Sequence, residues 1–218
     1  HGVHRRQRQM CIRDRITTIR DENALVQSIL VGFDDKKPLY LLAHVAERIK
    51  KDFANAFLDN VFFALETEHI KADHVNALCI GWGLAAYRYD AYKKSDQTDP
   101  ILIWPEQADQ AFICAQIEAT TLLKNLINTP PNILGTEELA EAAQKVAKTH
   151  KAKVKIIKDS DLLKQNFPLI YAVGQASPRR PSLVDIQWGE KSHPKITLVG
   201  KGIIYDTGGL NLKPGQYM

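Results

Sequence analysis

Two consecutive prolines, Pro130-Pro131, end a long run of helix-forming residues. Proline lacks a backbone N–H and pushes the residue before it out of the helical region, so a helix cannot continue through this pair. The preceding run, Ala111–Asn128, places Ile113, Ile117 and Ile127 among its apolar positions. The pattern predicts a helix of about five turns that stops just before the prolines.

Helical and β-branched segments alternate after this boundary. Thr136 is predicted to cap a second helix, because Glu137 and Glu138 favour the positive N-terminal end, and this helix has an apolar stripe of Leu139, Ala142, Ala143, Val146 and Ala147. A short helix is predicted at Asp161–Gln165, and strands are predicted at Val154–Ile157, Leu169–Val173, Leu183–Trp188 and Lys195–Gly200. In the strand at Leu183–Trp188, Trp188 is expected to face inward. Alternation of this kind predicts an α/β layered fold.

The first half of the chain shows a weaker version of the same pattern. Apolar residues at Val45 and Ile49 recur at helical spacing, and His74–Tyr92 reads as a second helix although Gly81 and Gly83 weaken it. The polar stretch that ends at Pro100 is typical of a loop or boundary. We therefore predict a small α/β N-terminal domain over 16–108 and a second domain over 109–218.

The charge of the protein is concentrated at its start. The formal net charge is +4, and residues 1–15 contain five arginines against one aspartate, so the remainder is neutral. A neutral body without a basic stripe makes nucleic acid an unlikely partner. Met10–Arg15 matches a reading frame through a transposon end used in library preparation, and residues 1–15 are therefore expected to be a non-native or disordered segment.

Three widely spaced cysteines, Cys11, Cys79 and Cys114, form no paired framework. They are typical of free thiols in a reducing compartment, which predicts a cytoplasmic protein. No apolar run is long enough to span a membrane, so a membrane partner is not expected.

The segment Gly200–Pro214 carries the strongest chemical signal. It reads G-K-G-x-x-x-D-T-G-G-x-x-x-K-P, in which Lys201, Asp206 and Lys213 lie among glycines that let a ligand approach the backbone closely. Lysines and aspartates beside glycines are more often turn residues when they occur singly. Their ordered combination points to a functional site.

This segment resembles the signature of the M17 leucyl aminopeptidases. The resemblance implies that Lys201 ligates one metal ion, that Asp206 contacts two, and that Lys213 is the catalytic lysine facing the substrate. It also implies an α/β metallopeptidase domain with a central mixed sheet, two divalent cofactor ions (manganese or zinc), peptide substrates, and a cytoplasmic homo-hexamer. A lysine amine binds a metal only in its neutral form, which a neighbouring cation favours.

More of the chain supports the same resemblance. Asn128–Asn132 and Ala172–Ser177 are similar to further segments of that family. The likeness is good over 110–218 and looser over 16–110, where the family has a divergent α/β domain similar to macro domains. The family's remaining acidic ligands and an arginine are expected after Met218, so the chain is interpreted as an incomplete catalytic domain that is inactive by itself.

Two other functions remain open from the residues alone. Asp206-Thr207-Gly208 is the D-T-G of aspartic proteases, but those sites need two aspartates and a largely β fold. A non-enzymatic nucleotide- or DNA-binding module is the second alternative. Arg179-Arg180 is interpreted as a solvated turn, with an oligomer contact left open by the family resemblance. No metal-ligand spacing links the histidines His44, His69, His74, His150 and His193 except that of His69 and His74, which are five residues apart and do not stack well on a helix.

Overall fold

The structure is a computed structural model that describes residues 16–20, 22–23, 26–32, 37–52, 61–96 and 98–204. These residues fall into two compact units that divide between Lys124 and Asn125. Residues 1–15, Asp206 and Lys213 lie outside the described ranges. Among the helices in those ranges, none is long and apolar enough to cross a membrane.

The first unit combines short strands with helices. Its elements are β1 (Ile16–Arg20), β2 (Val26–Val31), α1 (Pro38–Asp52), β3 (Phe62–Phe63), α2 (Ala72–Ala85), β4 (Ile101–Leu102) and the first part of α3 (Gln110–Asn128). β1 and β2 pair in antiparallel fashion, whereas β3 and β4 pair in parallel. The helix predicted to end before the two prolines is confirmed as α3.

The core of the first unit lies between α1 and α2. Its buried residues are Leu41, Leu42, Val45, Ala46 and Ile49 from α1 together with Leu78 and Trp82 from α2. Gly81 and Gly83 do not interrupt α2. Each of them lies close to a neighbouring element. A Cβ at Gly81 would strike the backbone carbonyl of Leu39, and one at Gly83 would strike the Ile117 side chain. The glycines thus allow α2 to approach its neighbours closely.

The second unit contains α4 (Thr136–Thr149), β5 (Lys153–Lys158), α5 (Ser160–Lys164), α6 (Pro168–Gly174) and β6 (Ser182–Gln187). β5 and β6 form an antiparallel pair in which Ile156 lies opposite Val184. The helices predicted around Leu139 and Leu162 and the strands predicted around Ile156 and Val184 are confirmed. The α/β class is likewise confirmed, although the described strands form three two-stranded sheets rather than a central mixed sheet.

Two of the predicted strands are wrong. Leu169–Val173 lies in α6, because Pro168 at the first helical turn favours helix and a short apolar run does not by itself distinguish helix from strand. Lys195–Gly200 forms no strand. Leu198 and Val199 are 92% and 93% exposed, and no described strand lies beside them to supply hydrogen-bond partners.

Three local predictions also need correction. The cap of α4 is Gly135 rather than Thr136, which is already the first helical residue. Of the predicted apolar stripe in α4, Ala147 is buried but Val146 is exposed, and Ala140 takes its place in the core. Trp188 is 77% exposed rather than inward, because it follows the last residue of β6.

Candidate metal site

Lys201 lies in an exposed segment without regular secondary structure, residues 195–204. A Cβ added at Gly200, the residue before Lys201, would meet nothing within 4 Å among the described residues. The role of Lys201 as a metal ligand stays a prediction.

Gly202 gives this segment its close contact with the rest of the second unit. A Cβ at Gly202 would lie 3.2 Å from Cδ2 of Leu139, on the first turn of α4. Glycine lets the segment come this close, whereas a larger residue would displace the leucine. The backbone beside Lys201 is thereby apposed to α4.

The other two predicted site residues, Asp206 and Lys213, lie outside the described residues, so the structure does not test their placement. Within the described ranges, no group of three or more histidine, cysteine, aspartate and glutamate side chains is arranged to hold a metal ion. A site built on Lys201 and Asp206 does not require such a group.

Arg179 is a structural residue of this region that the sequence interpretation missed. Its Nη1 donates to Oε2 of Glu138 at 2.6 Å, and its Nη2 donates to the carbonyl oxygen of Asn132 at 2.7 Å. The same Oε2 accepts the backbone N–H of Gly135 at 2.8 Å. Arg179 therefore ties the loop after the two prolines to the first turn of α4. Its side chain is 38% exposed, as a solvated turn implies, but these bonds give it a structural role that the sequence did not predict.

The next residue, Arg180, is anchored as well. Its carbonyl oxygen accepts a hydrogen bond from the Thr136 hydroxyl at 2.8 Å, and its Nη1 donates to the carbonyl oxygen of Gln175 at 2.6 Å. The backbone N–H of Asp159 donates to the carbonyl oxygen of Pro181 at 3.0 Å. These bonds attach the turn before β6 to α4 and to the end of β5.

The pKa of Glu138 reflects this network. Hydrogen bonds from its own backbone N–H and from that of Gly135 lower the pKa, and the positive charge of Arg179 lowers it further. The carboxylate therefore stays charged, as a partner of a guanidinium should. The sequence feature that could have indicated this network is Glu138 at the third helical position after Gly135. A side chain at that position can bond back to the start of its helix.

The comparisons with known proteins agree over most of the chain. Residues 9–105 match the family model described as M17 aminopeptidase, N-terminal domain, and residues 121–218 match the model described as cytosol aminopeptidase family, catalytic domain. The first match begins inside residues 1–15, whose assignment as non-native stays a prediction.

Individual relatives point the same way. A probable cytosol aminopeptidase of Agrobacterium fabrum is 34% identical over 201 residues, which cover 84% of this chain and 40% of the relative. One from Streptomyces avermitilis is 37% identical, covering 67% of this chain and 32% of the relative. The crystal structure of a cytosol aminopeptidase from Coxiella burnetii superposes with a TM-score of 0.75 at 33% identity, covering 92% of this chain and 42% of that one.

The chain belongs to the M17 leucyl aminopeptidase family. It spans about 40% of the length of the Agrobacterium relative. The match of residues 121–218 to the catalytic-domain model includes Lys201, Asp206 and Lys213.

Proposed function

We propose that the protein is a metal-dependent aminopeptidase that releases N-terminal amino acids from peptides and uses two divalent ions. Lys201 and Asp206 are metal ligands in this proposal, and Lys213 contacts the substrate. The observation that carries it is the glycine-flanked Lys201, exposed in a segment with open space at Gly200, at the family's spacing from the aspartate and the second lysine.

The proposed ligands have suitable chemistry. A neutral lysine nitrogen is a donor to transition metals, and the two oxygens of an aspartate allow it to contact two ions. Paired divalent ions supply Lewis-acid polarisation of a carbonyl and activation of water. The ammonium group of Lys213 would donate hydrogen bonds to the oxygen that gains negative charge during hydrolysis.

Manganese or zinc is the proposed metal, and peptides are the proposed substrates. A cytoplasmic homo-hexamer is the proposed form of the whole protein, by resemblance to the family. A single zinc takes about four ligands, so Lys201 and Asp206 would hold two ions only together with further ligands. We expect the chain expressed alone to bind metal weakly and to show no peptidase turnover.

The test uses the full-length gene product. Metal-free protein is titrated with Mn²⁺ or Zn²⁺ by calorimetry, and release of leucine from a leucyl substrate is then measured. The expected result is that Lys201→Ala weakens binding of one ion by at least about tenfold and lowers kcat/KM. A carboxamide still offers one oxygen but no charge, so Asp206→Asn is expected to weaken the binding of both ions.

Lys195→Ala is the matched control, since Lys195 is an exposed lysine of the same segment. It is expected to leave metal binding and turnover unchanged. Lys213→Met is expected to keep metal affinity while kcat falls about 100-fold or more, as for loss of a donor to a developing oxyanion. A full-length protein that binds neither ion, or a Lys201→Ala variant equal to Lys195→Ala, would contradict the proposal.

A further inference from the structure

We propose that Arg179 is a positioning residue for the metal site: it holds the first turn of α4, and that turn holds the backbone next to Lys201. This inference rests on the proposed role of Lys201 as a metal ligand. It assigns a function to the arginine that the sequence alone presents as a surface residue.

Arg179 holds the start of α4 through hydrogen bonds. Its guanidinium bonds Glu138 and the carbonyl oxygen of Asn132 through two different nitrogens. A planar guanidinium can serve both acceptors at once, while a lysine ammonium is a single point charge on a flexible stem. The loop before α4 and its first turn are therefore fixed to one group.

Gly135 is the buried residue at the cap of α4. A Cβ at this position would collide with the Arg179 side chain, whose Cδ would be only 2.5 Å away. The arginine thus lies directly over the backbone of the cap. Its position is determined by packing as well as by hydrogen bonds.

Leu139 connects the cap of α4 with the segment that carries Lys201. The backbone N–H of Leu139 donates to the carbonyl oxygen of Gly135 at 3.0 Å, so the leucine is part of the turn that Arg179 holds. A Cβ added at Gly202, the residue after Lys201, would lie 3.2 Å from Cδ2 of Leu139, so the Leu139 side chain lies close to Gly202. Arg179, Glu138 and Leu139 form a continuous path to the proposed ligand.

The segment around Lys201 forms no strand among the described residues, and Ile196, Leu198, Val199 and Ile203 are exposed. The approach of Gly202 to Leu139 is therefore the described link through which a change in α4 would reach Lys201. Groups that orient metal ligands typically change metal affinity by 10- to 100-fold when they are removed.

The experiment compares variants of two adjacent glutamates in the full-length protein. Glu138 bonds Arg179 and the Gly135 N–H, whereas Glu137 contacts Lys158 at 3.4 Å on the exposed surface. Glu138→Gln and Arg179→Ala are expected to raise the Kd for Mn²⁺ about tenfold, and Glu137→Gln is expected to leave it unchanged. Arg179→Lys is expected to fall between them, because it keeps the charge but loses the second bond.

A second readout needs no metal. Hydrogen exchange of residues 195–204 in metal-free protein is expected to become faster in Glu138→Gln and Arg179→Ala but not in Glu137→Gln. If Arg179→Ala fails to fold, Glu138→Gln and Leu139→Ala test the same path. A folded Glu138→Gln variant with unchanged Kd and unchanged exchange would overturn the inference.

The two readouts separate this inference from the proposed function. Wild-type protein that binds no Mn²⁺ or Zn²⁺ would overturn the proposed function and the role of Arg179 at a metal site. Wild-type protein that binds metal, with Kd values equal in Glu137→Gln and Glu138→Gln, would overturn only the inference.

Discussion

Oδ1 of Asp99 lies 2.5 Å from Nζ of Lys50, so the end of α1 is joined to the segment before β4 by an ion pair. Nη2 of Arg88 approaches the same oxygen at 3.0 Å. Nη2 of Arg88 and Oδ1 of Asp99 are buried, and neither forms a hydrogen bond of acceptable geometry among the described residues. Attraction between opposite charges therefore accounts for their contact. Lys50 also donates to the carbonyl oxygen of Ala85 at 2.7 Å, which caps the C-terminal end of α2 with a positive charge.

This arrangement predicts that Asp99→Asn destabilises the first unit. Two cations would be left close together without an anion, and their side chains are only 19% and 21% exposed. Loss of one partner from a buried pair costs about 3–5 kcal/mol, which we reduce to about 2 kcal/mol for partial exposure. Urea unfolding followed by tryptophan fluorescence, to which the buried Trp82 contributes, measures the effect.

Asp52→Asn is the control for this prediction. Asp52 pairs with Arg48 at 2.7 Å on an exposed face of α1, four residues away. Exposed pairs at this spacing contribute about 0.3–0.5 kcal/mol. Equal destabilisation by Asp52→Asn and Asp99→Asn would show that the cluster around Asp99 adds nothing beyond an ordinary surface pair.

The glycines of α2 give a second prediction. Gly81→Ala is expected to destabilise the first unit by about 2 kcal/mol or more, although alanine favours helix by about 1 kcal/mol, because the new methyl group would strike the rigid backbone at Leu39. Gly83→Ala would strike only the end of the Ile117 side chain, which can move. A cost for Gly83→Ala that equals the cost for Gly81→Ala in thermal unfolding would refute this distinction.

The sequence predicted those elements whose pattern acts on the chain nearby, and it failed where distant contacts decide the structure. The end of α3 at Asn128 and the strand around Ile156 were predicted, because prolines and β-branched runs act on the chain nearby. Leu169–Val173 was assigned to the wrong class, because four or five apolar residues satisfy helix and strand equally. Lys195–Gly200 was predicted as a strand from composition, yet a strand also needs a neighbouring strand that local sequence does not specify.

The candidate site shows the same limit. Lys201 was singled out from a short ordered motif, and the structure places it in an exposed segment. The roles of Lys201, Asp206 and Lys213 all remain predictions. Arg179 was missed because its partners, Glu138 and Asn132, are 41 and 47 residues away. No local pattern marks an arginine whose role depends on contacts at that distance.

Burial of Cys79 predicts a pH dependence of stability. Desolvation raises the pKa of the Cys79 thiol from 9.0 to about 11. As pH rises, the unfolded chain loses this proton before the folded protein does. The stabilising contribution of the buried thiol is therefore complete below about pH 9 and decreases between pH 9 and 11. Replacement by alanine should remove this part of the pH dependence, as measured by urea unfolding across that range.

The same thiol should react slowly with a disulfide reagent. A pKa two units above the ordinary value reduces the thiolate fraction about 100-fold at pH 8, and burial slows the reaction further. The comparison uses Cys11→Ser variants in which either Cys79 or the exposed Cys114 is the remaining thiol. Equal rates for the two thiols in native protein would contradict the buried environment of Cys79.

The contact between Leu139 and Gly202 can be tested directly by a double-mutant cycle. Gly202→Ala places a methyl group 3.2 Å from Cδ2 of Leu139, a distance that requires the leucine to shift. We expect Gly202→Ala to cost about 1 kcal/mol with leucine at 139 and close to nothing with alanine there, which gives a coupling energy of about 1 kcal/mol. Gly200→Ala should show no coupling with Leu139→Ala, because a methyl group at Gly200 meets open space.

Hydrogen exchange of the Leu139 amide in metal-free full-length protein reports the local free energy, since that amide bonds the carbonyl oxygen of Gly135. A coupling energy near zero would mean that the segment carrying Lys201 does not rest on α4 in solution, and the path from Arg179 to the proposed metal ligand would lose its last step.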